Sequence, residues 1–181
     1  VENDINSTYC VINRREYYVD KALNNQGKGR NYGIDVTLER YMSGGWYGSV
    51  NGSLYKSEYK AMDGVWRNTL YNRTYLFKVL GGKEWMMGKR RQNVLSVNAK
   101  FTMQGGLRRT PGDLEATKAL YEAGNIAADV VLKEKEAFSK QHDALPIVDL
   151  TVSYKTAGKH CDHTIAVEAL NLTGAMPPSC E

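Results

Sequence analysis

Gly29–Tyr59 reads GRNYGIDVTLERYMSGGWYGSVNGSLYKSEY, and its periodicity decides how the rest of the chain is read. After Tyr32 the residues alternate: Ile34, Val36 and Leu38 are apolar, and Asp35, Thr37 and Glu39 between them are polar. Successive side chains of a strand point to opposite faces, so alternation with a period of two signals a strand with one greasy face. Ser43-Gly44-Gly45 breaks the run. The next segment sets Trp46, Val50 and Leu54 on one face against Ser49, Asn51 and Ser53 on the other. Two such strands around a short glycine turn predict a β-hairpin.

The same unit recurs outward from this stretch. Strands are expected at about Arg30–Tyr41, Trp46–Tyr59, Tyr71–Trp85, Asn93–Gln104, Ile147–Lys155 and His163–Leu172. Upstream, a further strand is expected around Tyr9–Val19, followed by a loop over Asn24–Gly29. Lys60–Leu70 is a longer connection, and Gly105–Pro146 the longest. Within the latter, Asp113 to about Lys140 is rich in Ala, Leu, Glu and Lys, with Leu114, Lys118 and Tyr121 at helical spacing. One or two short helices interrupted at Gly124-Asn125 are expected there. Connections after the first, third and fifth strands are short, and those after the second and fourth are long. Transmembrane barrels of outer-membrane type alternate in this way, whereas a soluble meander has no general reason to. The expected strand lengths, roughly 10–15 residues, also exceed the common 5–6 of globular proteins.

Composition sets limits without choosing a class. With 181 residues the chain is long enough to bury a core. A mean hydropathy of -0.50 and the lack of an apolar run near the roughly 18 residues a spanning helix needs argue against a helical membrane protein. Barrel strands escape that test, because about 9–11 alternating residues suffice. The net charge of +4 is spread along the chain, and Lys89-Arg90-Arg91 reads as a solvated turn, so no nucleic-acid partner is expected. Cys10, Cys161 and Cys180 do not make a disulfide framework. His160-Cys161-Asp162-His163 crowds its side chains too closely for the usual four-ligand zinc spacing, and no metal or cofactor is expected. His142, Asp143 and Ser139 lack a nucleophile elbow or comparable motif, so no catalytic residue and no enzyme are expected. The chain opens at Val1 and closes in Ala175-Met176-Pro177-Pro178-Ser179-Cys180-Glu181, which reads as a piece of a longer protein.

Several long runs, in order, resemble a known family: GKGRNYGIDVTLERYMSGGWYGSVNGSLYKSEY, DGVWRNTLYNRTYLFKVLGGKEW, NVLSVNAKFTMQGGLRRTP and VDLTVSYK followed by EALNLTG. They resemble the C-terminal part of TonB-dependent outer-membrane receptors of the Bacteroidetes type, over about Gly27 to Gly174. The resemblance implies an all-β chain, an antiparallel meander of six or seven long strands that is a segment of a transmembrane β-barrel of about 22 strands. Short helices would lie in one long extracellular loop. Residues 1–181 are then a partial C-terminal barrel domain, with the plug domain and the final aromatic-ended strand outside it. A closed barrel needs at least about eight strands, so the sheet edges await neighbours. The implied role is transport across the outer membrane of a Gram-negative bacterium, with partners in outer-membrane lipid, the TonB system, the plug domain and a nutrient ligand.

The resemblance also assigns faces. Ile34, Val36, Leu38, Val50, Leu54, Phe77, Val79, Leu95, Val97, Phe101, Val148, Leu150, Val152, Ile165 and Val167 would contact lipid. Trp46, Trp85 and Tyr41, beside the short turns, would anchor at the membrane interface. Asp35, Glu39, Lys78, Asn98, Lys100, Asp149 and Glu168 would face the lumen. Trp66, Arg67 and Asn68 on one loop, with Arg108 at the mouth of the longest, are the candidate ligand-binding residues. Two other readings remain at this point. One is a soluble all-β ligand-binding module whose apolar face is covered by a second sheet or by the Leu114–Phe138 segment. The other is an enzyme built on His142 and Asp149.

Overall fold

The computed structural model describes residues 2–5, 7–13, 22–124, 130–159 and 161–176. Its elements in chain order are β1 (Asn3–Asp4), a 3-10 turn at Val11–Asn13, β2 (Leu23–Asn24), β3 (Lys28–Ser43), β4 (Trp46–Lys60), β5 (Trp66–Asn68), β6 (Tyr75–Met87) and β7 (Asn93–Gln104). Then come β8 (Arg108–Arg109), α1 (Leu114–Glu122), a second 3-10 turn at Glu134–Glu136, β9 (Lys140–Gln141), β10 (Leu145–Ala157) and β11 (Asp162–Ala169). The long strands form one sheet in the order β11-β10-β7-β6-β4-β3, with β5 paired to β4, while β1-β2 and β8-β9 are small two-stranded ladders. The all-β, antiparallel expectation therefore holds. No helix among the described residues is long and apolar enough to cross a membrane, which says nothing of strands.

The hairpin that opened the reading turns at Gly44 and Gly45, whose φ values are 62° and 79°. Consecutive positive φ angles suit the two-residue hairpin turns whose twist matches that of the flanking strands. A Cβ at Gly45 would lie 2.5 Å from the Glu84 carbonyl oxygen, so only glycine fits there.

Four expectations need correction. The third long strand starts at Tyr75 rather than Tyr71, because the chain turns back on itself through Asn72 N–H to Thr69 O and Arg73 N–H to Tyr71 O. Thr74 there has a φ of 73°, outside the extended region of a regular strand. The last strand stops at Ala169 instead of Leu172, because Asn171 takes a φ of 52° and its N–H donates to the Asp149 carboxylate. Cys10 makes an isolated bridge to Asn3 and Val11–Asn13 is a 3-10 turn, so the start of the expected Tyr9–Val19 strand is irregular. Residues 14–19 of that strand lie outside the described residues. Finally, Trp66–Asn68, expected as loop, pairs with the end of β4 as a strand. Among the described residues of the longest connection one α-helix forms, capped by Asp113, whose side chain accepts the Ala116 N–H at 3.1 Å. Gly124 ends it with a φ of 86°, and Asn125 lies outside the described residues.

The chain divides into two compact units. The sheet unit comprises Ile34–Leu54, Tyr75–Gly105 and Ala144–Glu181. Its register keeps the faces separate row by row. Val50 opposes Val79, Val79 opposes Phe101, and Phe101 opposes Val148; Val97 opposes Val152, which opposes Val167. One residue along, Tyr47, Gly82, Asn98, Thr151 and Glu168 make a polar row in the same way. The polar face is internally bonded. Lys100 Nζ lies 2.6 Å from the Asp149 carboxylate, Thr37 donates to Asn51 at 3.0 Å, and the Tyr47 hydroxyl donates to Asn98 Oδ1. Gly82 makes that last contact possible, because a Cβ there would lie 2.5 Å from Tyr47 Cζ.

The apolar face has no such cover. Ile34 and Ile165 are 71% and 70% exposed, and Val36, Leu38, Leu54 and Val167 are exposed as well. Among the described residues of this unit, the buried ones are two glycines, Gly82 and Gly105.

The loop unit comprises Val1–Gly33, Tyr55–Thr74 and Gly106–Asp143, and it holds a core of ordinary kind. Cys10, Tyr59, Ala61, Leu70 and Ala137 are buried in it. The Phe138 ring meets Tyr59 edge-on, with centroids 6.2 Å apart and planes at 72°. Burial raises the pKa of the Cys10 thiol, which keeps it a neutral side chain.

Candidate functional site

Pairing of β5 with β4 sets Trp66 opposite Lys60, Arg67 opposite Tyr59 and Asn68 opposite Glu58. A ladder alternates its faces, so Arg67 points away from its two neighbours. It is 8% exposed. Its Nη2 meets the Asp63 carboxylate at 2.6 Å, its Nε donates to the Lys135 carbonyl at 3.1 Å, and its Nη1 reaches the Val65 carbonyl at 3.5 Å. The guanidinium thus ties the β4–β5 turn to a segment 68 residues away.

Asn68 and Arg108 act in the same manner. Asn68 accepts from Asn72 Nδ2 at 2.8 Å and donates to the Phe138 carbonyl. Arg108 donates to the Asn72 carbonyl at 3.1 Å, to Thr74 Oγ1 at 3.2 Å and to the Ser139 carbonyl. Partial burial lowers its pKa from the usual guanidinium value without threatening its charge. The four residues singled out from the sequence do gather in the loop unit, but three of them hold its connections together.

Trp66 differs, being half-exposed with cations on its ring. The Arg30 guanidinium lies 4.2 Å from the ring centre and Lys60 Nζ 5.5 Å. Arg30 is held in place by Glu58, at 2.7 Å from Nε and 2.6 Å from Nη2, and it also lies 6.0 Å from the Tyr32 ring. Lys56 approaches the same carboxylate at 2.8 Å. One buried carboxylate therefore organises two cations beside an aromatic pair, with Lys60 as a third. Such a rim suits a polar solute with acceptor groups and a face for stacking. Sequence reasoning missed Arg30, Tyr32, Lys56 and Glu58. Their signal was present in the i, i+2 spacing of Arg30 with Tyr32 and of Lys56 with Glu58, which puts each pair on one strand face.

The Asp149 carboxylate lies 2.6 Å from Lys100 Nζ and accepts the Asn171 N–H at 2.9 Å. Cys161 Sγ lies 3.3 Å from His163 Nε2, and His160 falls outside the described residues. Among the described residues no group of three or more His, Cys, Asp or Glu side chains is placed to hold a metal.

The Asp63–Arg67 pair carries a pH dependence. The Arg67 hydrogen bond, foremost, holds the Asp63 carboxyl below its ordinary 3.8, helped by the Val65 N–H. A depressed carboxylate pKa stabilises the fold above the unfolded value and loses that contribution as pH falls through the folded one. Loop-unit stability is therefore expected to decline below about pH 3.8. Arg67→Met is expected to remove about 1–3 kcal/mol at neutral pH, because it strips the carboxylate and the Lys135 carbonyl of their partner. It should also flatten the acid decline. Urea unfolding between pH 2 and pH 7 checks both, and an unchanged pH profile in Arg67→Met would refute the assignment.

Comparison of the chain with protein-family models, with curated proteins and with solved structures returns no match.

Proposed function

We propose that this chain is part of the wall and outer loops of a transmembrane β-barrel, a receptor of the TonB-dependent type that takes up a nutrient across the outer membrane of a Gram-negative bacterium. The observation that carries the reading is the inverted burial of the sheet unit. On the inner strands the polar-face residues Ser49, Asn51, Asn98, Asp149 and Thr151 are half-buried and, through Asn51, Asn98 and Asp149, internally bonded, while Val50, Leu54, Phe77, Leu150 and Val152 stand exposed. The edge strands β3 and β11 expose both faces. Water is a poor environment for a contiguous apolar face of that size, and hydrocarbon a good one. Support also comes from strand length, 16 residues in β3 and 15 in β4, and from the alternation of short and long connections.

A third support lies beside the short turns. On the apolar face, Lys83 Nζ sits 4.3 Å from the Trp46 ring centre and 5.1 Å from that of Trp85. A lysine between two tryptophans is what the headgroup layer favours, where the stem lies along apolar surface and the ammonium reaches water. In this reading the short turns are periplasmic and the long connections extracellular. The edges β3 and β11 pair with further strands of the barrel, because an open edge leaves backbone groups unbonded in lipid. The outer loops capture the ligand at the rim around Trp66, and transport energy arrives through the plug and the TonB system of the complete receptor.

The test uses full-chain variants with single tryptophans, refolded in detergent and transferred to vesicles whose acyl chains carry bromine. Fluorescence of Trp46 or Trp85 should be quenched strongly and that of Trp66 weakly. Equal quenching of all three, or a chain that stays monodisperse in plain buffer with none, would favour a soluble module instead.

A further inference from the structure

The short connections gather cations without carboxylate partners at one end of the sheet unit. The turn from β6 to β7 carries Lys89, Arg90 and Arg91 in succession, all exposed, and the turn from β10 to β11 adds an exposed Lys159. Asp162 at this end is taken by Lys155 at 3.2 Å, and Glu84 accepts from Ser96. Among the described residues, no carboxylate comes within ion-pair distance of Lys89, Arg90, Arg91 or Lys159. Adjacent like charges repel, so an anion brought to the basic turn is stabilising there.

These cations adjoin an aromatic band on the apolar face. Trp85 lies in the row that crosses Leu95, Tyr154 and Ile165, and Trp46 opposes Lys83 one row away. Trp46, Trp85 and Tyr154 are exposed. Two residues beyond Trp85 the strand ends at Met87 and the basic turn begins. Lys83, on the rings of both tryptophans, brings a further cation onto the apolar face itself. Along the strands the order is aliphatic, aromatic, cationic. A bilayer leaflet presents acyl chain, interface and headgroup in that same order. A headgroup with net negative charge complements the cations, and a zwitterionic one does not.

We propose that this end of the sheet selects anionic phospholipid, with the Lys89-Arg90-Arg91 turn and Lys83 as the cations that meet its phosphodiester and with its acyl chains against the apolar face. The inference rests on the lipid reading of the sheet and adds to it a choice of lipid. Phosphatidylglycerol is favoured over phosphatidylcholine in the leaflet that the short turns face.

The test uses the full chain with Trp46 or Trp85 as its single tryptophan, in vesicles that mix the two lipids and in which one of them carries bromine. Quenching should report about fivefold preferential association of phosphatidylglycerol, the ratio that one cation near an anionic headgroup gives. The preference should collapse in about 1 M KCl, which screens surface charges beyond about 3 Å. Lys83→Gln, Lys89→Gln, Arg90→Gln and Arg91→Asn together should bring the ratio close to unity. Asparagine is used at Arg91 because the backbone there has a φ of 53°, which it tolerates. No quenching of either tryptophan by either brominated lipid refutes the lipid reading, and the inference falls with it. Strong quenching that is equal for the two lipids overturns the inference alone and leaves the lipid reading standing. A substituted chain that inserts and keeps the preference overturns it as well. Should that chain fail to insert, the unaltered chain decides: a preference that survives 1 M KCl overturns the inference, and one that collapses upholds it.

Discussion

Val152→Arg is expected to cost the membrane-inserted chain about 2–4 kcal/mol, while Thr151→Arg, one residue earlier on the same strand, is expected to cost about 1 kcal/mol or less. The two positions sit near the middle of β10 and differ only in face. Val152 lies in the row with Val97 and Val167, and Thr151 in the row with Asn98 and Glu168. An arginine at Val152 carries its charge into hydrocarbon near the bilayer midplane. At Thr151 it meets the Glu168 carboxylate directly opposite, a favourable cross-strand pair. In water the order reverses, because a charge on an exposed apolar face is harmless or helpful there. Urea unfolding of both variants in lipid vesicles and in detergent reads the difference. A Val152→Arg chain as stable as the parent in vesicles would remove the main support for a lipid-facing sheet.

Tyr59→Ala is expected to destabilise the loop unit by about 3–5 kcal/mol, the usual cost of deleting a buried aromatic ring. Tyr59 is 1% exposed, packs with Cys10 and Ala61, and receives the edge of Phe138. The loss should be local. Amide exchange is expected to quicken at Leu70, whose N–H is held by Asn13 Oδ1, and at Thr69, whose N–H is held by the Ser57 carbonyl. Amides in the ladder that joins Val50 to Val79 should keep their protection. Fast exchange throughout both units would mean that they unfold together; no change at Leu70 and Thr69 would mean that Tyr59 is not the centre of this core.

The strands were legible because their signal is local. Trp46–Tyr59 and Asn93–Gln104 were read to within a residue or so, since side-chain alternation is complete within each segment. Strand ends were less legible. Tyr71 and Leu172 continue the apolar pattern, but the turn at Thr74 and the Asn171–Asp149 contact end the ladders first. The candidate site was legible in residue type and not in role. Trp66, Arg67, Asn68 and Arg108 do gather, yet Arg67 is consumed by Asp63 and the Lys135 carbonyl, and Arg108 by three acceptors. Those acceptors come from distant segments, and a loop carries no periodicity that announces them.

The sequence by itself determined that the chain forms long antiparallel strands with one apolar and one polar face, because period-two alternation is a property of neighbouring residues and survives any tertiary arrangement. Only the tertiary structure decided that the apolar face of the sheet unit stays bare while the loop unit buries Tyr59 and Leu70. It also paired Trp66–Asn68 with β4, put Arg30 on the Trp66 ring, and left the buried Asn13 Nδ2 without a partner. Each of these depends on which distant groups meet, and burial and hydrogen-bond satisfaction are fixed by such meetings rather than by local pattern.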